Sequence, residues 1–223
     1  MLKGDIMARP ILRSAIVMLI ALSCSERTSK DKEPTYEVTK VGLTPPHNKA
    51  IAAFAEGCFW CTEHIFESVV GIDSAISGYA GGTVPFPTYE MVNTETTGHA
   101  ESILVYYNPS VITYAELTQV FFTSHDPTTP DRQGPDVGSS YRSILFYITP
   151  SEKEIAESSL NAFASSGMFK DSIVTEIKEL NEFYRAEEYH QDYIQFNPDN
   201  PYVRNVSIPR FELFKKTYKG KLK

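Results

Sequence analysis

The stretch Gly57-Cys58-Phe59-Trp60-Cys61-Thr62-Glu63 sets a cysteine directly before two large aromatic residues, a pattern that could do chemistry. Residues 49–56 are a short apolar run that predicts a strand, Gly57 a sharp turn, and Cys58 the opening of a helix. A sulfur at that point meets unpaired backbone N–H groups and the positive end of the helix dipole. Both favour the thiolate, which is the nucleophilic form. Phe59 and Trp60 could wall an apolar pocket beside it. The alternative for a cysteine taken alone is a buried structural residue in an aromatic core.

Polar residues gather in three further places. Gly98-His99-Ala100-Glu101 stands at the entrance of a strand, Asp131 to Tyr141 reads as a long irregular loop, and Tyr79 and Tyr89 flank a Gly/Pro-rich segment. Each is weak by itself, because a strand-edge glutamate is usually solvated and a Gly/Asp loop is usually a turn. His64, His99, His125 and His190 are scattered and fit hydrogen-bonded surface or supporting positions. Cys58 and Cys61 have no partner Cys/His pair, so no metal site is expected.

The elements that must position these residues alternate along the chain. A strand-like run from Gly71 to Tyr79 follows the first helix, and Glu101 to Tyr107 is rich in β-formers. Thr113 and Glu116 form a capping box for a second helix. Ser143 to Ile148 is a third strand, and Thr149-Pro150-Ser151-Glu152 starts a helix that runs to Gly167. A strand at about 172–179 and a helix from about 184 to 195 complete the pattern. This order implies one α/β or α+β sheet with helices packed on it.

The flanks read differently. Lys3, Arg9 and Arg13 precede a short apolar run, Ala15 to Leu22, that is too short to span a bilayer permanently. Residues 1–24 are therefore a targeting signal. Ala21-Leu22-Ser23-Cys24 resembles a lipobox, with Cys24 the lipidated residue, and an ordinary secretory signal is the alternative. Residues 25–48 read as a flexible tether, 49–212 as the folded domain, and 213–223 as a solvated basic tail. The localisation expected is a bacterial cell envelope, lipid-anchored to membrane or periplasmic. Net charge is -7, which argues against nucleic acid, and 42% hydrophobic residues suffice for a core. Of three cysteines, Cys24 belongs to the lipid, so Cys58 and Cys61 form no structural framework.

Taken together, the motifs are specific. Gly57-Cys58-Phe59-Trp60 with Glu63, Gly78-Tyr79-Ala80-Gly81-Gly82, Gly98-His99-Ala100-Glu101, Gln133-Gly134-x-Asp136-Val137-Gly138 with Tyr141-Arg142-Ser143, and Ala186-Glu187-x-Tyr189-His190-Gln191-x-Tyr193 occur in this order. The chain resembles the A-type peptide methionine sulfoxide reductases over about residues 49–210. The resemblance implies a ferredoxin-like α/β two-layer sandwich with a mixed sheet. It implies that Cys58 attacks the sulfoxide sulfur and that Glu101 protonates the departing oxygen. Tyr89 and Tyr141 would hydrogen-bond that oxygen, Phe59 and Trp60 enclose the substrate methyl, and Asp136 organises the site. Oxidised peptides and proteins are then the substrate, with the S epimer at sulfur preferred. No cofactor is implied, since the cysteine carries the electrons, and the reductant is a thioredoxin-like thiol from outside.

The recycling step departs from many members of the family, because no cysteine follows Cys61. Either Cys61 resolves a Cys58 sulfenic acid as a disulfide, or an external thiol reduces it directly. Two other functions fit parts of the pattern. A thioredoxin-like disulfide oxidoreductase would use the C-x-x-C but leaves Glu101 and the tyrosines unexplained, and a surface-anchored binding module would hold a methyl-bearing ligand without turnover.

Overall fold

The structure, a computed structural model, describes residues 37–223 together with Met1. The expected signal, Cys24 and the first part of the tether lie outside the described residues. In chain order the strands are β1 (Thr39–Lys40), β2 (Ala50–Glu56), β3 (Ile72–Ala80), β4 (Ala100–Tyr107), β5 (Arg132–Gln133), β6 (Asp136–Val137), β7 (Ser143–Tyr147), β8 (Glu176–Glu179) and β9 (Phe183–Arg185). The helices are α1 (Phe59–Glu67), α2 (Tyr89–Asn93), α3 (Tyr114–Ser124), α4 (Pro150–Ser165), α5 (Tyr193–Phe196) and α6 (Ile208–Thr217).

The main sheet has the order β1-β9-β3-β4-β2-β7-β8, and β5 pairs with β6 in a separate hairpin. Its centre is β2-α1-β3-β4-α3-β7, with β3-β4-β2-β7 antiparallel throughout, which is the ferredoxin-like arrangement. The parallel pairing of β7 with β8 makes the sheet mixed. Side-chain alternation assigns the faces. Ala52 and Phe54 of β2, Ile103, Val105 and Tyr107 of β4, and Ala75 and Tyr79 of β3 enter one core with Ile65, Phe66, Leu117 and Phe121 of the helices. Phe54 is fully buried there and stacks on Phe66 at 4.8 Å between ring centroids. The opposite face is lined by small residues, Ala53, Ala55, Ala80 and Ala100, with Leu104, Ile144, Phe146 and Phe183.

Local signals placed the starts of α3 and α4 correctly. The capping boxes Thr113/Glu116 and Thr149/Glu152 are both formed, with Pro150 in the first turn of α4. Elsewhere the tertiary structure overrides the pattern. No helix spans 184–195: β9 pairs with β3, a 3-10 turn covers Glu188–His190, and α5 is four residues long. The reason is that Gln191 spends its amide on the sheet, accepting from Ser77 N at 3.1 Å and donating to Ser77 O at 3.0 Å. Asp192 then turns left-handed at φ 51°. The strand at 172–179 is shorter, β8 beginning at Glu176, and the loop 131–141 contains the β5–β6 hairpin.

Both flanking segments are corrected where they are described. Thr39 and Lys40 pair with β9, and Val41 and Leu43 pack on the alanine-rich face, so the end of the tether is part of the fold. Helix α6 crosses the expected boundary at 212 and buries Phe214. Beyond it, Val69 bridges to Leu222. The lysines of this segment are exposed, but its backbone is docked.

Candidate active site

β2 and β4 are antiparallel neighbours, so the end of one meets the start of the other. This puts the Cys58 turn and Glu101 at the same edge of the sheet. Gly57 makes the turn at φ 91°, and a Cβ there would come within 2.4 Å of the Gln133 side chain. A side chain at this position would therefore be strained by conformation and by contact. Cys58 caps α1 with φ -54° and ψ 120°. Glu101 faces the helix layer, opposite Tyr79 of β3.

The first free N–H of α1 does not go to sulfur. Phe59 N donates to Glu101 Oε2 at 3.0 Å. Glu101 is 2% exposed, and burial raises its carboxyl to about 8 despite that hydrogen bond; the negative potential of Asp136 adds to the rise. It is thus a neutral acid at neutral pH. The sequence expectation that the helix start makes Cys58 a thiolate is not met. Burial holds the Cys58 thiol well above its usual value, and its neighbour Cys61 reinforces this. Cys61 goes the other way: its hydrogen bond with Cys58 lowers it, helped by Arg210 and Ser207 against the effect of burial. Both thiols are free and buried. The pair therefore shares its first negative charge, with the anion favoured at Cys61.

Around the sulfur pair stand the other expected residues. Tyr89 and Tyr141 are half-buried, their hydroxyls held protonated by burial, with Glu101 the next cause for each. Asp136 comes from β6 and accepts a hydrogen bond from the Tyr202 hydroxyl. Phe59 is buried within an aromatic group, 4.9 Å from the His190 ring and 6.5 Å from the Tyr89 ring between centroids. Trp60 is fixed on two sides. Its Nε1 donates to His190 Nδ1 at 3.1 Å, and its ring stacks on Tyr193 at 3.7 Å. Those contacts give the Tyr-His-Gln-x-Tyr segment its purpose: it sets the tryptophan plane.

Several participants escaped sequence reasoning. The sequence reading assigned no role to Tyr202, Ser207 or Arg210, and Glu56 was read only as the end of an apolar strand. Glu187 ties the site together, accepting from Tyr79 Oη at 2.8 Å and from Tyr89 N at 2.9 Å. Two further histidines have hydrogen-bonded places: His99 bonds Val84 O and accepts from Gly82 N, and His125 bonds Phe121 O and Ser143 Oγ. A cavity of about 620 Å³ touches Asp136, Tyr202 and Arg210 but not Cys58, Phe59, Trp60 or Glu101. The Cys58–Cys61 pair and the neutral Glu101 carboxyl meet instead at the aromatic face.

Glu63 tests the electrostatics without touching that face. It is 3% exposed, accepts from Asp192 N at 3.0 Å, and is raised from 4.5 to about 8 by burial and by Glu67. The folded state binds the extra proton, so stability falls as pH rises between these values. Glu63→Gln keeps the acceptor without the charge. It should stabilise the fold at pH 9 by roughly 1–3 kcal/mol relative to its effect at pH 4, read from denaturant midpoints at both pH values.

A family model for peptide methionine sulfoxide reductase matches residues 50–222. The peptide methionine sulfoxide reductase MsrA of Natronomonas pharaonis is 46% identical over 173 residues, covering 78% of this chain and 97% of that protein. Among solved structures, Mxr1 from Saccharomyces cerevisiae in reduced form superposes with a TM-score of 0.66 at 35% identity, covering 73% of this chain and 91% of that one. Methionine sulfoxide reductase A of Corynebacterium diphtheriae gives 0.62 at 34% identity, covering 70% and 78%. With its motifs, fold and relatives in agreement, the chain belongs to the peptide methionine sulfoxide reductase family.

Proposed function

We propose that this protein reduces methionine S-sulfoxide in peptides and proteins, with Cys58 as nucleophile and Glu101 as acid. The observation that carries this reading is a neutral buried carboxyl bonded to the backbone of the residue that follows a buried thiol. A sulfoxide is a poor electrophile until its oxygen is protonated or strongly hydrogen-bonded. Glu101 supplies the proton, and the hydroxyls of Tyr89 and Tyr141 donate where negative charge develops. Phe59 and Trp60 receive the methyl group, and the acid on the other side fixes the handedness at sulfur. Asp136 orders the rim through Tyr202.

In the step itself, Cys58 sulfur attacks the sulfoxide sulfur as its proton passes to Cys61. Glu101 protonates the oxygen, which leaves as water with the second proton relayed through Cys61. Another water then adds to Cys58 sulfur, and the new S–S bond breaks to release methionine. A proton returns to Glu101, leaving a Cys58 sulfenic acid. Methionine sulfur gains the two electrons that Cys58 loses. Cys61 then attacks the sulfenic sulfur, water leaves, and a Cys58–Cys61 disulfide remains for an external dithiol to reduce. The burial of both thiols and their spacing at a helix start support this route. The signal-like segment and the Ala21-Leu22-Ser23-Cys24 tetrad support export with lipid attachment at Cys24. An exported enzyme would draw on a thioredoxin-like dithiol of the envelope.

The test is turnover of separated S and R methionine sulfoxide peptides by the chain from residue 25, with dithiothreitol as reductant. Reduction of the S epimer alone supports the reading, and no turnover of either epimer sinks it. A second prediction addresses recycling. Cys61→Ser should still release one methionine per enzyme in a single turnover, more slowly for want of the proton acceptor. Its steady-state turnover with a thioredoxin-like protein should fall by roughly 10-fold or more. Full steady-state turnover in that variant would rule the disulfide out.

A further inference from the structure

We propose that Arg210 is a positioning residue that sets the acidity of the Cys58–Cys61 pair, with Glu56 as its counterweight. The inference rests on the reading of these two cysteines as the reacting pair. Arg210 lies in the first turns of α6, where its Nη2 is 2.7 Å from Glu56 Oε1 and its Nε donates to Ser124 O at 2.7 Å. Those two bonds hold the guanidinium in one orientation. A Cβ built on Gly57 would stand 3.8 Å from Arg210 Nη1, so the cation lies against the residue that joins Glu56 to Cys58. Ser207, three residues earlier on the same face, touches Cys61 Sγ at 3.1 Å. One end of α6 and the π-helical turn Val203–Ser207 before it thus present a hydroxyl and a cation to the sulfur pair. Such turns recur at functional sites.

The physical need for a cation is plain. Both thiols are buried, and burial alone would keep both protonated at neutral pH. The groups facing the pair from the other elements are Glu56 of β2, Tyr89 of α2, Glu101 of β4, Asp136 of β6, Tyr141, and Tyr202 before α6. All of these are acids or phenols, and none of them stabilises a thiolate by charge. Arg210 does. His125 approaches Glu56 at 3.5 Å but burial pushes it down to about 3, so it adds no charge. Glu56 is fully buried, and burial lifts it to about 7 against the pull of Arg210 and of the Ser124 hydroxyl. An ionised Glu56 draws on the same cation, which makes it an opposing weight. A lysine at 210 would be a poorer device, because burial strips its charge more readily and it lacks the fork that binds Glu56 and Ser124 O together.

The experiment is a titration of thiolate absorbance near 240 nm from pH 5 to 10. It uses the full chain carrying Cys24→Ser, with the Cys58→Ser/Cys61→Ser form subtracted to remove tyrosine. Arg210→Gln should raise the first thiol midpoint by about one unit, leaving roughly tenfold less thiolate at neutral pH. Glu56→Gln should lower that midpoint. Opposite shifts are the signature, since a merely structural role would disturb the pair without regard to the sign of the lost charge. Shifts in the same direction, or none in either variant, would overturn the proposal. Should Arg210→Gln fail to fold, Glu56→Gln decides alone, and an unchanged or raised midpoint overturns it. The readout is thiolate formation, so a failure of the reductase reading shows as missing turnover with the opposite shifts intact. A failure of this inference shows as intact turnover without them.

Discussion

Cys58→Ser is expected to abolish methionine release, with a loss on the order of 10⁴-fold or more in kcat/KM and no single-turnover product. The size of the effect follows from electron accounting rather than from nucleophilicity alone. Cys58 sulfur both attacks and is oxidised, ending as a sulfenic acid. A serine oxygen would have to form an O–O bond to do the same, and it has no low-energy oxidised state to occupy. Neither Glu101 nor the tyrosines can substitute, since they supply protons and hydrogen bonds but no electrons. The variant should fold normally. Cys58 is 6% exposed and serine is nearly isosteric, so the change in thermal midpoint should be small. Turnover above one part in a hundred of the parent rate, measured on the S epimer, would mean that Cys61 can attack substrate and that the assignment of the two sulfurs is reversed.

Those candidate residues could be picked out of the sequence because the signals that mark them are local. A glycine turn, a cysteine at a helix start and two aromatic residues sit within four positions, and Gly98-His99-Ala100-Glu101 names the start of β4. The capping boxes at Thr113 and Thr149 were legible for the same reason, since the groups that satisfy the first helical N–H donors are three residues away. The acidity of Cys58 was not. Its helix N-terminus is local, but the Phe59 N–H goes to Glu101, forty-two residues on. The burial that dominates comes from packing. The misread helix at 184–195 has the same cause: Gln191 and Glu187 are committed to β3 and α2, partners no local pattern reveals. Helix α6 was hidden by composition. Its one fully buried residue is Phe214, so a lysine-rich surface outweighed its apolar signal. Arg210 stands in α6 just before the segment read as a basic tail. Nothing local ties it to Glu56 or the cysteines, so the charge behind the sulfur pair needed a structure to be seen.

Glu101→Gln should cost roughly 10²–10⁴ in kcat/KM on the S epimer while leaving substrate affinity close to the parent's. Glutamine can still accept the Phe59 N–H and can still point a donor at the sulfoxide oxygen. It cannot give the proton up, so the oxygen must leave as a worse leaving group. The pH profile separates this from a packing defect. Glu101 acts in its protonated form, which burial preserves up to about pH 8, so the parent's kcat/KM should fall as pH rises through about 8. In the glutamine variant that alkaline limb should vanish, since no group with that role remains to ionise. Stability should move the opposite way. The folded carboxyl holds its proton above the ordinary value of 4.5, so ionising it at high pH destabilises the parent. Removing the charge therefore stabilises the fold at pH 9 and changes little at pH 4. A buried acid kept neutral for catalysis carries that cost as long as it stays ionisable. An alkaline limb that survived in Glu101→Gln would assign the proton to another group, with Asp136 the first to examine.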